Sequence, residues 1–196
     1  MYNNDAKSSM RKEIQQLVEK DVWKVLTLKE RKKIFYKEII RSSMFYKEKF
    51  DSVGNFIKLK CRLVAGGNEQ DPTVYTNNSS PTVSMEAVNM VLAIAASKDQ
   101  YIYAVDVEGA YLEASIEEDN VYMMLQKEVV SEYVNMYPNE KIHVDDKGKL
   151  LVKLKKALYG CKQSSKLWYN KLKSTLEQIE FVQNKMEQCV FNLKQN

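Results

Sequence analysis

The stretch that decides the fold is Leu154-Lys155-Lys156-Ala157-Leu158-Tyr159-Gly160-Cys161-Lys162-Gln163. It follows residues 141–154, which predict a β-hairpin because Asp145-Asp146-Lys147-Gly148 has the composition of a tight turn. It precedes a predicted amphipathic helix over residues 164–179, one side of which carries Trp168, Leu172, Thr175, Leu176 and Ile179. The stretch therefore joins a strand to a helix through a turn that contains glycine.

A second segment with chemical content is Val105-Asp106-Val107-Glu108-Gly109-Ala110-Tyr111-Leu112. The β-rich residues 101–107 predict a buried strand that ends at Asp106. A carboxylate at the end of a buried strand is costly unless it binds a positive group. Gly109 lets the backbone approach a ligand, and Tyr111 offers a pocket floor. The same residues also suit a helix or turn cap, and the local sequence leaves both interpretations open.

The rest of the chain predicts further helices and antiparallel strands. One helix is predicted over residues 10–20, and another over residues 85–97 with Ser84 as N-cap and one buried face. A hairpin is predicted from residues 44–50 and 56–65 around the turn Asp51-Ser52-Val53-Gly54-Asn55. For residues 29–41 helix and strand both stay open. Shorter strands are predicted at residues 22–28, 121–125 and 189–193.

The composition is that of a globular protein and argues against several other classes. Of 196 residues, 44% are hydrophobic and 10% are aromatic, which supplies core material that a disordered chain lacks. No apolar run approaches the ~18–20 residues of a membrane helix and the N-terminus is polar, so we expect an intracellular location, cytoplasmic or nuclear. Three cysteines without a CxxC pair and a single histidine, His143, argue against a disulfide framework and a zinc site.

The net charge of +4 is unevenly distributed along the chain. Residues 1–50 and 151–196 have an excess of basic side chains, whereas residues 101–150 are strongly acidic. This pattern suits a protein that holds a polyanion and keeps carboxylates for a metal, and it suits equally well a set of solvated surface charges. Most of the basic residues are lysines, so any nucleic-acid contact is expected to be independent of base sequence.

Several blocks occur in a defined order along the chain. They are Lys60-Cys61-Arg62-Leu63-Val64-Ala65-Gly66-Gly67, Ser79-Ser80-Pro81-Thr82-Val83, the segment around Asp106, the stretch around Tyr159, Leu167-Trp168-Tyr169 and Cys189-Val190-Phe191. Each block is weak by itself, but the ordered set resembles the reverse transcriptase domain of copia-type LTR retrotransposons. The resemblance extends from residue 10 to residue 193.

The resemblance implies an α+β fold of the right-hand polymerase type, with an antiparallel palm sheet against which helices pack. It implies a flexible N-terminus over residues 1–9 and a reverse transcriptase domain over residues 10–193. Fingers are expected over residues 10–83 and 121–163, and palm over residues 84–120 and 164–193. The family's Tyr-x-Asp-Asp hairpin follows a strand equivalent to residues 189–193, so the palm is expected to be truncated before that hairpin.

The resemblance also assigns chemistry to individual residues. The family transfers a deoxynucleotide to a primer 3′-hydroxyl with two Mg²⁺ ions. Asp106 corresponds to a catalytic, metal-binding aspartate of the palm, and Val107 beside it lies in the nucleotide-binding region. Tyr111 matches the aromatic residue beneath the sugar.

Four further nucleotide-binding residues are implied on the fingers side. Lys60 and Arg62 would hold the triphosphate by charge-assisted hydrogen bonds. Tyr159 and Gly160 would line the nucleotide pocket and approach the nucleic acid. The expected partners are an RNA or DNA template-primer and deoxynucleoside triphosphates, and the expected cofactor is Mg²⁺ at an incomplete site.

The resemblance thus predicts a fragment of a retrotransposon RNA-directed DNA polymerase that is inactive alone, because one carboxylate cannot hold two Mg²⁺ ions. Val144-Asp145-Asp146 resembles the missing hairpin but precedes the Tyr159 stretch, whereas the family's hairpin follows it, so we expect no metal role there. Two alternatives stay open. One is a non-enzymatic, sequence-blind nucleic-acid-binding protein that reuses the basic fingers. The other is an active polymerase whose second half comes from a separate chain or a longer product.

Overall fold

The computed structural model describes residues 2–73, 75, 78–116 and 120–193. The α-helices are α1 (Tyr2–Glu19), α2 (Leu28–Arg31), α3 (Met85–Ser97), α4 (Lys127–Met136) and α5 (Ser164–Gln178). The β-strands are β1 (Trp23–Val25), β2 (Ile39–Phe50), β3 (Phe56–Ala65), β4 (Tyr122–Met124), β5 (Leu151–Leu154), β6 (Phe181–Gln183) and β7 (Phe191–Leu193). Short 3₁₀ helices lie at Tyr36–Glu38, Gly67–Glu69, Ala110–Glu113 and Pro138–His143.

Five strands form the main sheet, in the order β1-β5-β4-β2-β3. All neighbours are antiparallel except β2 and β4, which pair in parallel through residues 39–41 and 122–124. The resemblance implies an antiparallel palm sheet, whereas the observed main sheet is mixed and is built from the segments assigned to the fingers. A mixed α/β domain of this kind is compatible with part of a right-hand polymerase.

The long hairpin of β2 and β3 confirms the prediction for residues 44–65. Its turn is fixed by the Asp51 carboxylate, which accepts hydrogen bonds from the backbone N–H groups of Val53 and Asn55. Gly54 has φ +91°, a left-handed conformation that favours glycine. At the tip, the rings of Phe50 and Phe56 meet edge to face with centroids 6.1 Å apart. These contacts fix the register in which the two strands face each other.

The hydrophobic core lies between the sheet and two helices, α1 and α4. Ile14 and Leu17 of α1 are fully buried, in agreement with the predicted helical spacing. They share the core with inward side chains of the sheet, including Leu63 and Met123. At the surface, Arg11 of α1 hydrogen-bonds the buried carboxylate of Glu132 on α4. Burial of the apolar face that carries Ile14 and Leu17 supplies most of the stability that holds α1 on the sheet.

Helix α1 begins at Tyr2, so the segment predicted as a flexible N-terminus instead forms its first turns. The apolar spacing that predicts the helix starts only at Met10, because residues 4–9 are mostly polar and are exposed or half-buried. Asp5 lies in the first turn, where the helix dipole favours an anion. The polar composition of these residues therefore indicates an exposed part of the helix, not a segment outside it.

The predicted strand at residues 101–107 is wrong, since the segment has no regular secondary structure and pairs with no described strand. Its apolar side chains, Tyr101, Tyr103 and Val105, are almost fully exposed. A β-rich sequence forms a strand only when another strand accepts its backbone hydrogen bonds. The residues assigned to the palm therefore contribute no strand to the main sheet.

Helix α3 has the predicted bounds and the predicted cap, in which the Ser84 hydroxyl accepts a hydrogen bond from the Ala87 N–H. The prediction of a buried face is wrong: α3 has no buried residue, and Leu92 and Ile94 are among its exposed apolar side chains. Amphipathic spacing indicates that a helix can bury a face, and it does not say which element covers that face. Here none of the described elements covers it.

The predicted hairpin over residues 141–154 is half correct. The turn forms as expected, with the Gly148 N–H donating to the Asp145 carbonyl, and β5 follows it. Residues 141–143, however, belong to the 3₁₀ helix that begins at Pro138. Proline favours this helical start because its ring fixes φ near −65°. Strand β5 pairs instead with β1 and β4.

The C-terminal part of the described chain consists of α5 and a small separate hairpin of β6 and β7. Helix α5 confirms the prediction for residues 164–179 to within a residue, and β7 occupies the last part of the predicted strand. The hairpin is tied to α3 through Glu187, whose carboxylate accepts a hydrogen bond from the Ser84 hydroxyl at 3.0 Å. Across the described residues, every helix is too short or too polar to cross a membrane.

Candidate functional site

Three of the predicted nucleotide-binding residues come together in one stack. The Arg62 guanidinium on β3 lies 4.5 Å from the centre of the Tyr159 ring. The Tyr159 ring in turn lies 4.8 Å from that of Tyr111, which belongs to the 3₁₀ helix Ala110–Glu113. A guanidinium at this distance is attracted to the ring face, and tilted aromatic pairs at this separation are favourable. Residues from three distant segments thus meet at one surface.

Backbone contacts hold this stack in place. The Ala65 N–H at the end of β3 donates a hydrogen bond to the Tyr159 carbonyl at 2.7 Å. Gly160 has φ +93°, and a Cβ there would lie 2.1 Å from the Ala65 carbonyl oxygen. Only glycine fits this position, because both the backbone angle and the space exclude a side chain. The glycine of the Leu-Tyr-Gly block is therefore explained by its close contact with β3.

A side-chain network that the sequence analysis missed fixes the same junction. Gln70 accepts a hydrogen bond from the Lys162 N–H at 2.8 Å, and its own amide donates to Gln163 at 3.1 Å. The ammonium group of Lys162 donates to the Gln70 carbonyl at 2.7 Å. Gln70 and Gln163 are buried, so these bonds replace the hydrogen bonds that both amides make with water in the unfolded chain. The loop after β3 and the stretch after Tyr159 consequently form one rigid junction.

Lys60 lies on the same face of β3 as Arg62, since alternate residues of a strand point to the same side. Its cross-strand partner on β2 is Lys47, and the partner of Arg62 is Phe45. Cys61 and Leu63, which alternate with these two residues along the strand, are buried against the core. Lys60 and Arg62 therefore present their charges on the outer face of the hairpin.

Glu13 of α1 is a site neighbour that no sequence pattern indicated. Its carboxylate accepts a hydrogen bond from the Leu63 N–H at 3.0 Å. Because β3 is the last strand of the sheet, this N–H would otherwise be unpaired at an open edge. Burial raises the pKa of Glu13, while the Leu63 hydrogen bond and the nearby charges of Arg62 and Lys60 act against that rise. Glu13 thus holds the strand edge directly beside Arg62.

Asp106 and Val107 lie in the exposed segment 101–107, which belongs to no helix or strand. Gly109, with φ +65°, turns the chain from this segment into the 3₁₀ helix that carries Tyr111. Among the described residues, no three His, Cys, Asp or Glu side chains gather closely enough to hold a metal ion. The donor set around Asp106 therefore does not by itself fit the two Mg²⁺ ions that the resemblance implies.

Asp145, which resembles part of the family's metal-binding hairpin, has a structural role. Its carboxylate accepts hydrogen bonds from the N–H groups of Lys147 and Lys149 and from the Arg31 guanidinium at 2.6 Å. These bonds hold the pKa of Asp145 below its usual range in spite of partial burial. The carboxylate thus stabilises its own turn and ties that turn to Arg31.

Comparison with known proteins identifies relatives of this chain. A family model described as reverse transcriptase (RNA-dependent DNA polymerase) matches residues 20–195. The Transposon Ty1-NL2 Gag-Pol polyprotein of Saccharomyces cerevisiae is 32% identical over 202 residues, which cover 99% of this chain. The Truncated transposon Ty1-A Gag-Pol polyprotein of the same yeast is also 32% identical over 202 residues. No solved structure gives a significant match.

These relatives are much longer than the chain. The matched region covers 10% of the Ty1-NL2 polyprotein and 15% of the truncated Ty1-A polyprotein. The match nevertheless includes all of the blocks that come together in the structure, from the β2–β3 hairpin to β7. The chain belongs to the copia-type reverse transcriptases, a family of RNA-dependent DNA polymerases.

Proposed function

We propose that this chain forms the fingers and part of the palm of an RNA-directed DNA polymerase and that it binds the incoming deoxynucleoside triphosphate. The observation that carries the proposal is the stack of Arg62 on Tyr159 and of Tyr159 on Tyr111. It places a fixed positive charge beside two aromatic rings, and this combination suits the phosphates and the sugar or base of one nucleotide.

The roles of the individual residues follow from their positions. Lys60 and Arg62 share one face of β3, where both can donate charge-assisted hydrogen bonds to phosphate oxygens. Arg62 offers a planar fork of donors, and its stacking on Tyr159 holds that fork in one orientation. Gly160 lets the backbone after Tyr159 lie directly against Ala65 of β3, so that Tyr159 is held beside Arg62.

We infer further that residues 1–196 do not polymerise DNA by themselves. The inference rests on Asp106, whose surroundings supply no cluster of metal ligands within the described part of the chain. Template-directed incorporation with Mg²⁺ or Mn²⁺ is expected to stay at the buffer level. Incorporation that disappears in Asp106→Asn would overturn this inference and would favour an active polymerase.

Nucleotide binding is tested by titrating the protein with a fluorescent dATP analogue. We expect Arg62→Ala to weaken binding about tenfold, because a hydrogen bond to a charged group is removed. Lys185→Ala removes an exposed lysine on the β6–β7 connection and serves as the charge-matched control. Equal affinities for the Arg62 and Lys185 variants would contradict the proposed pocket.

A second candidate function is sequence-blind nucleic-acid binding without catalysis. It is favoured by the outer face of the β2–β3 hairpin, which carries lysines in directly opposed positions. Binding of oligonucleotides without any binding of the dATP analogue would support this function over the first. Weak binding in the ~10⁻⁴–10⁻⁶ M range, with affinity falling steeply as salt rises, is the expected behaviour for such contacts.

A further inference from the structure

Two groups that do not belong to the main sheet hold the outer edge of β3. The Leu63 N–H donates to the Glu13 carboxylate of α1 at 3.0 Å, and the Ala65 N–H donates to the Tyr159 carbonyl at 2.7 Å. Because these two N–H groups are two residues apart in a strand, both point away from β2, toward the edge that no strand covers. Helix α1 and the stretch that carries Tyr159 therefore contact neighbouring positions along one strand edge.

Arg62 comes directly before the first of these hydrogen bonds. The N–H of Leu63 belongs to the planar peptide group that joins Arg62 to Leu63, so Glu13 fixes the orientation of the backbone right after the Arg62 Cα. The Arg62 guanidinium lies at the far end of a long side chain, 4.5 Å from the centre of the Tyr159 ring. A small rotation of the peptide group becomes a large displacement at that distance, so the position of the guanidinium depends on the bond to Glu13.

The charge of Glu13 and its hydrogen bond have opposite effects on a bound nucleotide. Burial raises the pKa of Glu13, and the nearby charges of Arg62 and Lys60 act against that rise, which shows that the carboxylate lies close to both cations. An ionised carboxylate beside these cations repels phosphate groups and so weakens nucleotide binding. The hydrogen bond to Leu63 is therefore the only one of the two interactions through which Glu13 can favour binding.

We propose that Glu13 is a positioning residue of the nucleotide site: its carboxylate oxygen fixes the peptide group between Arg62 and Leu63 and thereby directs the Arg62 guanidinium toward the triphosphate. The inference rests on the proposed function, since it requires Arg62 to contact phosphate. Glu13 acts through Arg62 and does not touch the nucleotide. Helix α1, which contributes no residue to the stack, is thus part of the site.

The two variants of Glu13 separate the hydrogen bond from the charge. Glu13→Ala is expected to weaken binding of the fluorescent dATP analogue about three- to tenfold, because a residue that acts only through Arg62 costs no more than Arg62→Ala itself. Glu13→Gln keeps an acceptor for the Leu63 N–H and removes the repulsive charge, so it is expected to bind the analogue at least as tightly as wild type. Equal losses of affinity in the two variants would overturn the proposal.

A double-mutant cycle tests whether Glu13 acts through Arg62. In the Arg62→Ala protein, the further change Glu13→Ala is expected to leave the affinity for the dATP analogue unchanged, because the side chain that it positions is absent. Two losses of affinity that multiply, as independent contributions do, would overturn the proposal.

Thr27→Ala is the matched control for stability. It also removes a side-chain acceptor from a backbone N–H, that of Glu30, and it lies on α2 rather than on α1 or β3. Urea unfolding of each variant shows that the titrated protein is folded. We expect Thr27→Ala to bind the dATP analogue as wild type does. A loss of affinity equal to that of Glu13→Ala would reveal a general effect of lower stability and would overturn the proposal.

The same titrations distinguish failure of this inference from failure of the proposed function. If Arg62→Ala weakens binding of the dATP analogue and Glu13→Ala does not, the nucleotide pocket stands and the positioning role is wrong. If the wild-type protein binds no dATP analogue, or if Arg62→Ala binds it normally, the proposed pocket is wrong and the positioning role is overturned with it.

Discussion

Gly67 packs against Gly160 so closely that a Cβ on Gly67 would lie 1.9 Å from the Gly160 carbonyl oxygen. Gly160 in turn packs against the Ala65 carbonyl, so two glycines from distant blocks close one junction between β3 and the loop that carries Tyr159. The junction tolerates no side chain on either glycine. The stack of Arg62 on Tyr159 depends on it, because the same backbone segment positions both residues.

We expect Gly160→Ala to lower the free energy of unfolding by about 2 kcal/mol or more, since it adds steric overlap to an unfavourable backbone angle. Gly54→Ala is the matched control, because Gly54 has nearly the same φ but no atom within 4 Å of its Cβ position. Urea unfolding is the measurement. Similar decreases in stability for the two variants would show that the close approach to Ala65 has no energetic weight.

We expect Glu13 to make the stability of the folded state depend on pH. Burial raises its pKa above the ordinary value of 4.5, so the folded state binds this proton more tightly than the unfolded state. The corresponding stability is present below pH 4.5 and is lost as the pH rises through the raised pKa. Glu13→Gln keeps an acceptor for the Leu63 N–H and removes the charge, so it is expected to be more stable than wild type at neutral pH.

Glu13→Ala provides the comparison for that hydrogen bond. We expect it to be about 1 kcal/mol less stable than Glu13→Gln, because the Leu63 N–H loses its partner. Denaturant unfolding of the three proteins at several pH values separates the charge from the hydrogen bond. A wild-type protein whose stability increases across this pH range relative to Glu13→Gln would contradict the raised pKa.

We expect the two buried thiols to make the folded state less stable at alkaline pH. Burial raises the pKa of Cys61 to about 12 and that of Cys161 to about 11. The folded state therefore holds these protons more tightly, and the resulting stability is lost as the pH rises from 9.0 through these values. Iodoacetamide labelling followed by mass spectrometry is expected to modify the partly exposed Cys189 first at neutral pH. Faster labelling of Cys61 or Cys161 than of Cys189 would refute the prediction.

We expect polar substitutions on the exposed face of α3 to have little effect on the stability of the protein. Leu92 is 42% exposed, so Leu92→Gln is expected to change the free energy of unfolding by no more than about 0.5 kcal/mol. Leu63, which is fully buried, is the contrast: Leu63→Ala is expected to cost about 2–5 kcal/mol. Thermal or denaturant unfolding of both variants checks the difference. A large decrease in stability for Leu92→Gln would mean that α3 buries this face against another element in solution.

Local signals predicted much of the fold because their physics lies within a few residues. The Ser84 hydroxyl and the apolar spacing that follows it predict the N-cap that the structure shows. The polar residues and the glycine of residues 51–55 predict the turn in the same way. The strand prediction for residues 101–107 is wrong because strand propensity alone does not form a strand. A strand also requires a pairing partner, and the sequence does not identify one.

The geometry of the candidate site is likewise not predictable from local sequence. The resemblance to the family implies a role for Arg62, Tyr111 and Tyr159, whereas their stacking depends on contacts between distant segments. The hydrogen bond from Leu63 to Glu13 cannot be predicted from sequence spacing, because other elements separate α1 from β3 along the chain. The opposed lysines were within reach of prediction, since the register of a hairpin follows once its turn is known.

The strand order also has a consequence for synthesis on the ribosome. Strand β5 lies between β1 and β4, although β1 and β4 precede it in the chain. A nascent chain therefore cannot close the sheet until residues 151–154 have left the exit tunnel, and until then β1 has no strand beside it. Domains generally fold as units during translation. We therefore expect a nascent polypeptide that ends before β5 to leave the main sheet incomplete, even when its β2–β3 hairpin has been fully synthesised.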